Sequence, residues 1–411
     1  MTTEARRALG RGDPLAVLRV THGAAEGEAL ALRGVALGQL GEYGAARALL
    51  VRASRDLTAR GAALEAARCT AAEAEIAAAQ RDLGGALELL ETASRELGRL
   101  GDVANAAWTQ VTRARLSVLI GDLPGARAAL ADAGSCPDCP PLVRAVIEIG
   151  LAEAAVRELR ATEANAAARR AAAWALRAGH AVLIAEVQAL VDALGRPVAS
   201  LWHRGAASEI ALGAVERLLL DTARAGRGVV VDGLRRRVLA RGVAPLDLSR
   251  RPVLFALLES LARASPDVVS ADLLLREAFG VMRSNPSHRA RLRVELGRLR
   301  RLLARRATLV AADGGWQLRA RTGDVSCLLP LDSGPGAPIR ALLRDGEAWS
   351  TPALARATAQ SPRTVQRILG DLAARGEAVA IGHGRARRYA APSGAGRIAS
   401  QMLLLAVAGV R

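Results

Sequence analysis

The feature that most constrains the fold is an internal repeat in the first half of the chain. Similar segments place an alanine at Ala46, Ala86 and Ala126, so the intervals are 86 − 46 = 40 and 126 − 86 = 40 residues. A weaker fourth copy puts Ala166 in phase. In the first three copies, a turn sequence precedes a helix with small residues where another helix must approach closely. Because a fixed period in this range is typical of stacked helix pairs, the sequence predicts helical-hairpin repeats over residues 1–205.

The first repeat carries a pattern that resembles the tetratricopeptide family. Its G-x-Y-x-x-A core stands at Gly41, Tyr43 and Ala46, with Gly34 and Ala53 at other positions where that family has small residues. The period of 40 is longer than is usual in that family, and leucine or alanine fills most of its aromatic positions. The resemblance implies a concave surface for a peptide, for a partner protein or for the chain's own DNA-binding part. A structural spacer or a self-association arm is the alternative.

Charge divides the chain into two unequal halves. The chain has no lysine, so all 57 basic residues are arginine. Residues 1–200 contain 23 arginines and 23 acidic residues, so the whole formal charge of +17 falls in residues 201–411. Such an asymmetry suggests that one half meets a polyanion and that the other half has a different task.

The most basic stretch lies in that second half, at residues 287–303 (SHRARLRVELGRLRRLL). Leu292, Leu296, Leu299 and Leu303 are spaced by four, three and four residues, which predicts a helix with one apolar face. Only Glu295 opposes the surrounding arginines, and the repulsion between like charges would be relieved by a polyanion such as nucleic acid. A solvated surface helix is the alternative. The arginines of this helix are Arg289, Arg291, Arg293, Arg298, Arg300 and Arg301.

The order of elements around this helix resembles the winged helix of OmpR-type response regulators and related bacterial activators. The residues that carry the resemblance are 246–249, 269–274, 279–280, 296–301 and 314–318, within a domain that we place at 225–320. The turn Asp313-Gly314-Gly315 between two extended runs predicts a hairpin after the basic helix. The resemblance implies that the third helix enters the major groove and that the following hairpin touches the DNA backbone or the minor groove. The chain has no receiver domain, so control by phosphorylation is not implied.

The same resemblance distributes roles along the basic helix. Its N-terminal end, with Arg289, Ala290, Arg291, Arg293 and Val294, would lie nearest the floor of the groove. Arginine can donate two hydrogen bonds to guanine, although a phosphate contact is the safer expectation for any single arginine. We expect Arg298, Arg300 and Arg301 to contact phosphates.

A second, shorter module is predicted at residues 335–391. Ser361-Pro362-Arg363-Thr364 begins a helix whose inner face is Val365, Ile368, Leu369 and Leu372. This stretch resembles the helix-turn-helix of MarR-like repressors, and a basic hairpin follows it. By that resemblance Arg363, Thr364, Gln366 and Arg367 face the DNA, and Arg385, Arg387 and Arg388 meet phosphates beside the wing. A winged helix that binds protein is the alternative.

Neither catalysis nor a cofactor is indicated by the sequence. A phosphate loop with its lysine is impossible in a chain without lysine, and no G-x-S-x-G motif is present. Cys136 and Cys139 form a C-x-x-C pair without a second pair of zinc ligands nearby, so we expect a loop rather than a metal site. We find no signal peptide, and the apolar tail within 392–411 is too short to span a bilayer. A cytoplasmic location is therefore expected.

These observations predict a mainly α chain, with a helical-hairpin-repeat solenoid followed by two winged-helix (α+β) domains and a C-terminal tail at 392–411. The expected function is sequence-specific regulation of transcription on double-stranded DNA, without catalytic, cofactor or metal residues. The repeats would bind a protein or peptide partner or mediate self-association, for example as a homodimer. The alternative is a non-catalytic scaffold whose winged helices bind proteins or RNA.

Overall fold

The computed structural model describes residues 1–10, 13–25, 27–224, 228–332, 334, 336–343, 348–381, 384 and 387–392. The chain is mainly helical, with 18 helices and a smaller content of strands in these residues. It divides into two compact units. The first comprises Met1–Glu158, Thr162–Ala193 and Gly334–Arg411, and the second comprises Leu159–Ala161 and Leu194–Ser333.

The first unit begins with eleven helices in the described residues, and α3 to α8 each pack against the next helix along the chain. Asp82, Asp102 and Asp122 cap α6, α7 and α8 by accepting a hydrogen bond from the backbone N–H three residues later. The helices are α1 (Thr2–Gly10), α2 (Pro14–Val20), α3 (Gly27–Gln39), α4 (Tyr43–Ala59), α5 (Ala63–Ala79), α6 (Leu83–Arg99), α7 (Val103–Ile120), α8 (Leu123–Gly134), α9 (Pro141–Arg157), α10 (Ala161–Ala178) and α11 (Ala181–Leu194).

The small residues of the repeat lie where neighbouring helices come closest. Ala46, Ala86 and Ala126 are fully buried. A Cβ atom on Gly34 would lie 2.8 Å from Leu50 Cγ, so α3 can approach α4 only because this position is glycine. The fourth copy differs from the sequence-based prediction. Ala166 is only half-buried, because the inner face of α10 is formed by neighbouring alanines such as Ala164 and Ala167.

The first unit also contains the C-terminal module, by which we mean residues 336–392 as far as they are described. Its three strands form an antiparallel sheet in the order β10-β12-β11. Trp349, Leu354 and Leu369 of this module share one hydrophobic core with residues of α5, α6 and α7. The elements are α16 (Ala337–Leu343), β10 (Trp349–Ser350), α17 (Thr351–Thr358), α18 (Pro362–Ala374), β11 (Val379–Ile381) and β12 (Arg388–Ala390).

The second unit is built on a six-stranded sheet with the order β2-β1-β9-β3-β4-β5, in which only β3 and β9 run parallel. A smaller sheet has the order β6-β8-β7. The elements are β1 (Pro197–His203), β2 (Ala206–Ala211), α12 (Leu212–Arg224), β3 (Val229–Asp232), β4 (Arg237–Ala240), β5 (Val243–Asp247), α13 (Pro252–Ala264), β6 (Val269–Ser270), α14 (Ala271–Phe279), α15 (Pro286–Leu303), β7 (Ala307–Ala312), β8 (Gly315–Ala320) and β9 (Val325–Pro330).

This unit is larger than the domain expected at 225–320. The hairpin β1–β2, helix α12 and strand β9 belong to it, because β9 pairs with both β1 and β3 and so joins the two ends of the unit into one sheet. Such pairing between strands that lie far apart along the chain leaves no local signal in the sequence. The two-residue turn Asp313-Gly314, in contrast, lies between β7 and β8 where the sequence predicted a hairpin.

Candidate nucleic-acid interface

The leucine face of α15 fixes which of its residues are exposed. Leu292, Leu296, Leu299 and Leu303 are buried in a core with side chains of α13 and β7, which confirms the predicted apolar face. Asn285 caps the helix by accepting a hydrogen bond from the His288 backbone N–H at 2.8 Å. With the leucines turned inward, most of the other positions of the helix face solvent, and all six predicted arginines of α15 are exposed.

Five of the six arginines form two rows along α15. At about 100° per residue, Arg289, Arg293 and Arg300 fall on one flank of the helix relative to the leucine face. Arg291 and Arg298 fall on the opposite flank, and Arg301 points directly away from the core. The basic side chains therefore lie on both flanks of the leucine face and directly opposite it.

Four of these side chains have contacts within the second unit. Arg298 donates to Glu295 Oε1 at 2.8 Å, and Arg300 Nε donates to the Leu309 carbonyl of β7 at 3.1 Å. Arg289 lies 3.6 Å from the exposed Asp272 carboxylate, and the guanidinium of Arg291 lies 4.8 Å from the centre of the Phe279 ring. Only the Arg298 contact is a close pairing with a carboxylate, so most of the positive charge is not neutralised.

The other two, Arg293 and Arg301, have no hydrogen-bond or ion-pair partner in the part of the chain that the structure describes. An arginine that is exposed and without a partner keeps its full charge and all its donors for a ligand. These two side chains are therefore the strongest candidates for contact with phosphate.

An open cleft of about 560 Å³ lies between the start of α13 and the second half of α15. Arg251, Arg298 and Arg301 line it together with Glu295, and Val253 and Leu302 contribute apolar surface. Sequence reasoning missed Arg251, which follows the last strand of the β3–β5 meander. It also missed Arg319 on β8, which is exposed and lies opposite Thr308 of β7. The alternation along β8, with Leu318 buried between Gln317 and Arg319, could have identified the second of these.

Helix α18 of the C-terminal module presents a smaller basic surface. Its inner face of Val365, Ile368, Leu369 and Leu372 is buried, as predicted. The outward residues Arg363, Gln366 and Arg367 are exposed, and Arg367 lies 3.3 Å from Asp371 on the same helix.

Thr364 was expected among the residues of α18 that face DNA. It is half-buried, and its hydroxyl is hydrogen-bonded at the start of the helix. This hydroxyl shares a hydrogen bond of 2.8 Å with that of Ser361, the capping residue of α18. It is therefore less accessible to a base than the sequence suggested.

The three arginines predicted for the wing have different positions. Arg385 lies outside the described residues, and Arg387 is exposed. Arg388 departs from the prediction that it meets phosphate, because its guanidinium donates to the backbone carbonyls of Gln80 and Ala348. Gln80 lies between α5 and α6, so Arg388 holds the C-terminal module against the repeats.

The cysteine pair shows little of the chemistry of a metal site. Cys136 is buried and Cys139 is half-buried, and both are free thiols. Burial and a hydrogen bond with Cys136 raise the pKa of the Cys139 thiol to about 12, so this sulfur stays protonated at neutral pH. Within the described ranges, no cluster of three or more histidine, cysteine or acidic residues is placed to hold a metal ion. Among the helices described there, none combines the length and apolarity needed to cross a bilayer.

Comparison of the chain with protein-family models, with curated proteins and with solved structures finds no match. The geometry and charge of α15 and α18 are therefore the features of this chain that bear on its function.

Proposed function

We propose that this chain is a cytoplasmic, sequence-specific regulator of transcription that binds duplex DNA through α15. One observation carries the proposal: α15 exposes six arginines on its two flanks and its outer side, and carboxylates neutralise few of them. Nucleic acid is the commonest polyanion that such a surface meets. Neutralising phosphates releases counterions, and this release would supply much of the affinity.

The order of elements in the second unit supports a winged helix as the fold that presents α15. A small sheet precedes three helices, α13, α14 and α15, and the hairpin β7–β8 follows them. In that arrangement the third helix would lie in the major groove with its N-terminal end towards the bases, and the hairpin would lie beside it on the backbone or in the minor groove. The exposed Arg319 on β8 would then be close to a phosphate.

A second DNA contact would come from α18, through Arg363, Gln366 and Arg367. Glutamine can bond to adenine with both its donor and its acceptor, and arginine can bond to guanine or to phosphate. Two binding modules on one chain raise the overall affinity when both can reach the same duplex, because the second binding step becomes intramolecular.

For the repeats, we propose a solenoid of the tetratricopeptide type that serves protein contact. The successive packing of α3 to α8 and the close helix approach at Gly34 support this arrangement. The neutral charge of residues 1–200 supports a protein surface over a nucleic-acid surface, since nothing there would draw the repeats onto DNA. The partner would be a peptide, another protein or a second copy of the chain.

The direct test is a mobility-shift assay with the double variant Arg291→Ala plus Arg293→Ala in the full chain. We expect weaker binding to duplex DNA, because both side chains would lie towards the N-terminal end of α15, which is proposed to enter the major groove. The matched control is Arg95→Ala plus Arg99→Ala, which removes the same charge from the exposed surface of α6. Equal binding by the wild type and the α15 variant, or binding that does not weaken as salt rises, would contradict the proposal.

One observation favours a second candidate, in which the C-terminal module is a protein-binding unit of a scaffold. Trp349 and Arg388 both face the repeats, so this module already uses part of its surface for contact with protein. If the C-terminal module binds protein and not DNA, substitution of Arg363, Gln366 or Arg367 on α18 should leave DNA binding unchanged. Competition between duplex DNA and structured RNA would separate the DNA proposal from RNA binding.

A further inference from the structure

The outward face of α15 carries an exposed valine that the protein core does not use. Val294 has 54% of its surface exposed, although Leu292 and Leu296 on either side of it are buried. A β-branched residue on the exposed face of a helix lowers helix propensity by a few tenths of a kcal/mol relative to an unbranched one. The side chain of Val294 therefore adds nothing to the core and leaves an apolar group on the face that the arginines flank.

The surroundings of Val294 leave its side chain open to a large partner. Ala290, one turn earlier, is exposed and short. A Cβ atom on Gly297, one turn later, would meet nothing within 4 Å. The helix surface around the valine is therefore low, while the longer side chains of Arg291 and Arg298 extend on one side of it and that of Arg293 extends on the other. A flat edge can reach the isopropyl group while the arginines reach the anions that flank it.

In the major groove, the group that matches an exposed isopropyl side chain is the 5-methyl of thymine. Cytosine, guanine and adenine present hydrogen-bonding groups there, whereas thymine adds an apolar methyl to its O4 acceptor. We propose that Val294 is a specificity-determining residue that packs on the 5-methyl group of a thymine, while the arginines beside it bind the phosphates. This inference rests on the proposed DNA binding by α15 and goes further by naming the base.

The experiment begins with selection of bound sites from random duplexes by the full-length chain. Each thymine of the selected site is then replaced, one at a time, by deoxyuridine, which lacks only the methyl group. We expect one replacement to weaken binding about fourfold, the value for one buried methyl group. The variant Val294→Ala should weaken binding to the thymine site and should no longer distinguish thymine from uracil at that position.

The matched control is Val103→Ala on α7, a valine of similar exposure in the repeats. It should bind as the wild type does and should keep the preference for thymine. The inference is overturned if the selected sites contain no thymine whose methyl group matters, or if Val294→Ala keeps the full preference. A chain that binds no duplex at low salt would instead overturn the proposed function itself, so the two failures can be told apart.

Discussion

Helices α15 and α18 are packed alike but charged differently. Each has four buried apolar residues on one face and a hairpin after its end. On the outer face, α15 exposes six arginines with Glu295 as the nearby acid, whereas α18 exposes Arg363 and Arg367 and places Asp371 beside the second. The same inward pattern therefore makes the same kind of helix, and the outward residues decide how strongly it attracts a polyanion.

The two helices also differ in what supports them. The leucines of α15 pack in a core made entirely from the second unit, with α13, α14 and β7. Helix α18 belongs to a core that the C-terminal module shares with α5, α6 and α7 of the repeats. The position of α18 therefore depends on the repeats, while the leucines of α15 pack in the core of its own unit.

The largest expected effect tests this difference in support. Trp349 is fully buried between the module and the repeats, and the guanidinium of Arg81 lies 5.3 Å from its ring centre. We expect Trp349→Ala to lower the free energy of unfolding of the first unit by about 3–5 kcal/mol, because a large aromatic side chain leaves a cavity. Urea unfolding monitored by circular dichroism would measure this loss of unfolding free energy.

The matched control for that variant is Trp174→Ala, since Trp174 is only half-buried in α10 and should matter less. Binding of DNA through α15 should survive both substitutions. Equal stability losses for the two variants would show that the shared core at Trp349 does not hold the module to the repeats.

The next effect compares the charges of the two helices. We expect Arg293→Ala plus Arg301→Ala to weaken binding to duplex DNA roughly 30-fold near physiological salt, since each arginine would release about one counterion. The pair Arg363→Ala plus Arg367→Ala should cost less, because Asp371 already neutralises part of the charge of Arg367. Fluorescence anisotropy over a range of salt would also give the slope of log K against log salt. That slope should fall by about 2 for the α15 pair. A larger loss for the α18 pair would reverse the order proposed for the two helices.

A smaller effect separates arginines that contact the repeats from arginines that are proposed to face DNA. Arg388→Ala removes hydrogen bonds to the carbonyls of Gln80 and Ala348, and bonds of a charged donor are worth about 1.5–3 kcal/mol. We expect a loss of stability of that order with little change in the salt slope. Arg387→Ala, at an exposed neighbouring position, should do the opposite. If Arg388→Ala reduced the slope of log K against log salt, Arg388 would have to contact DNA phosphate, as the sequence predicted.

The sequence predicted those features of α15 and α18 that depend on local spacing. The leucine period gave the buried face of α15, and Asp313-Gly314 gave the turn between β7 and β8. Pairing between distant strands and docking between distant segments were not predictable in this way. Nothing near Val325–Pro330 indicates that β9 bonds to both β1 and β3. Likewise, nothing near Arg388 indicates that its partner is the carbonyl of Gln80. From the sequence alone, an arginine that contacts the repeats cannot be distinguished from an arginine predicted to contact phosphate.

The smallest expected effect concerns a buried carboxyl group of the repeats, next to the core that supports α18. Glu75 on α5 is fully buried beside Ala74 of the shared core, and one of its carboxylate oxygens accepts a hydrogen bond from Trp108 Nε1. Burial raises the pKa of the Glu75 carboxyl well above its usual range, although the Trp108 bond opposes the shift. The folded state therefore keeps a proton that the unfolded chain releases. The contribution of Glu75 to the free energy of unfolding should be complete below the usual pKa of glutamate. It should fall as pH rises from that value towards the raised pKa of Glu75 in the folded state.

Glu75→Gln keeps an acceptor for Trp108 and removes the titration. The difference in unfolding free energy between wild type and this variant, measured by urea unfolding from pH 4 to about pH 8, should therefore shift in favour of the variant as pH rises. Using the difference removes the contribution of other buried acids such as Glu186, whose pKa burial also raises. Since Glu75 belongs to the first unit, unfolding of the unit that contains α15 should show no such difference between the two proteins. Parallel pH profiles for wild type and variant would mean that Glu75 is already ionised in the folded repeats.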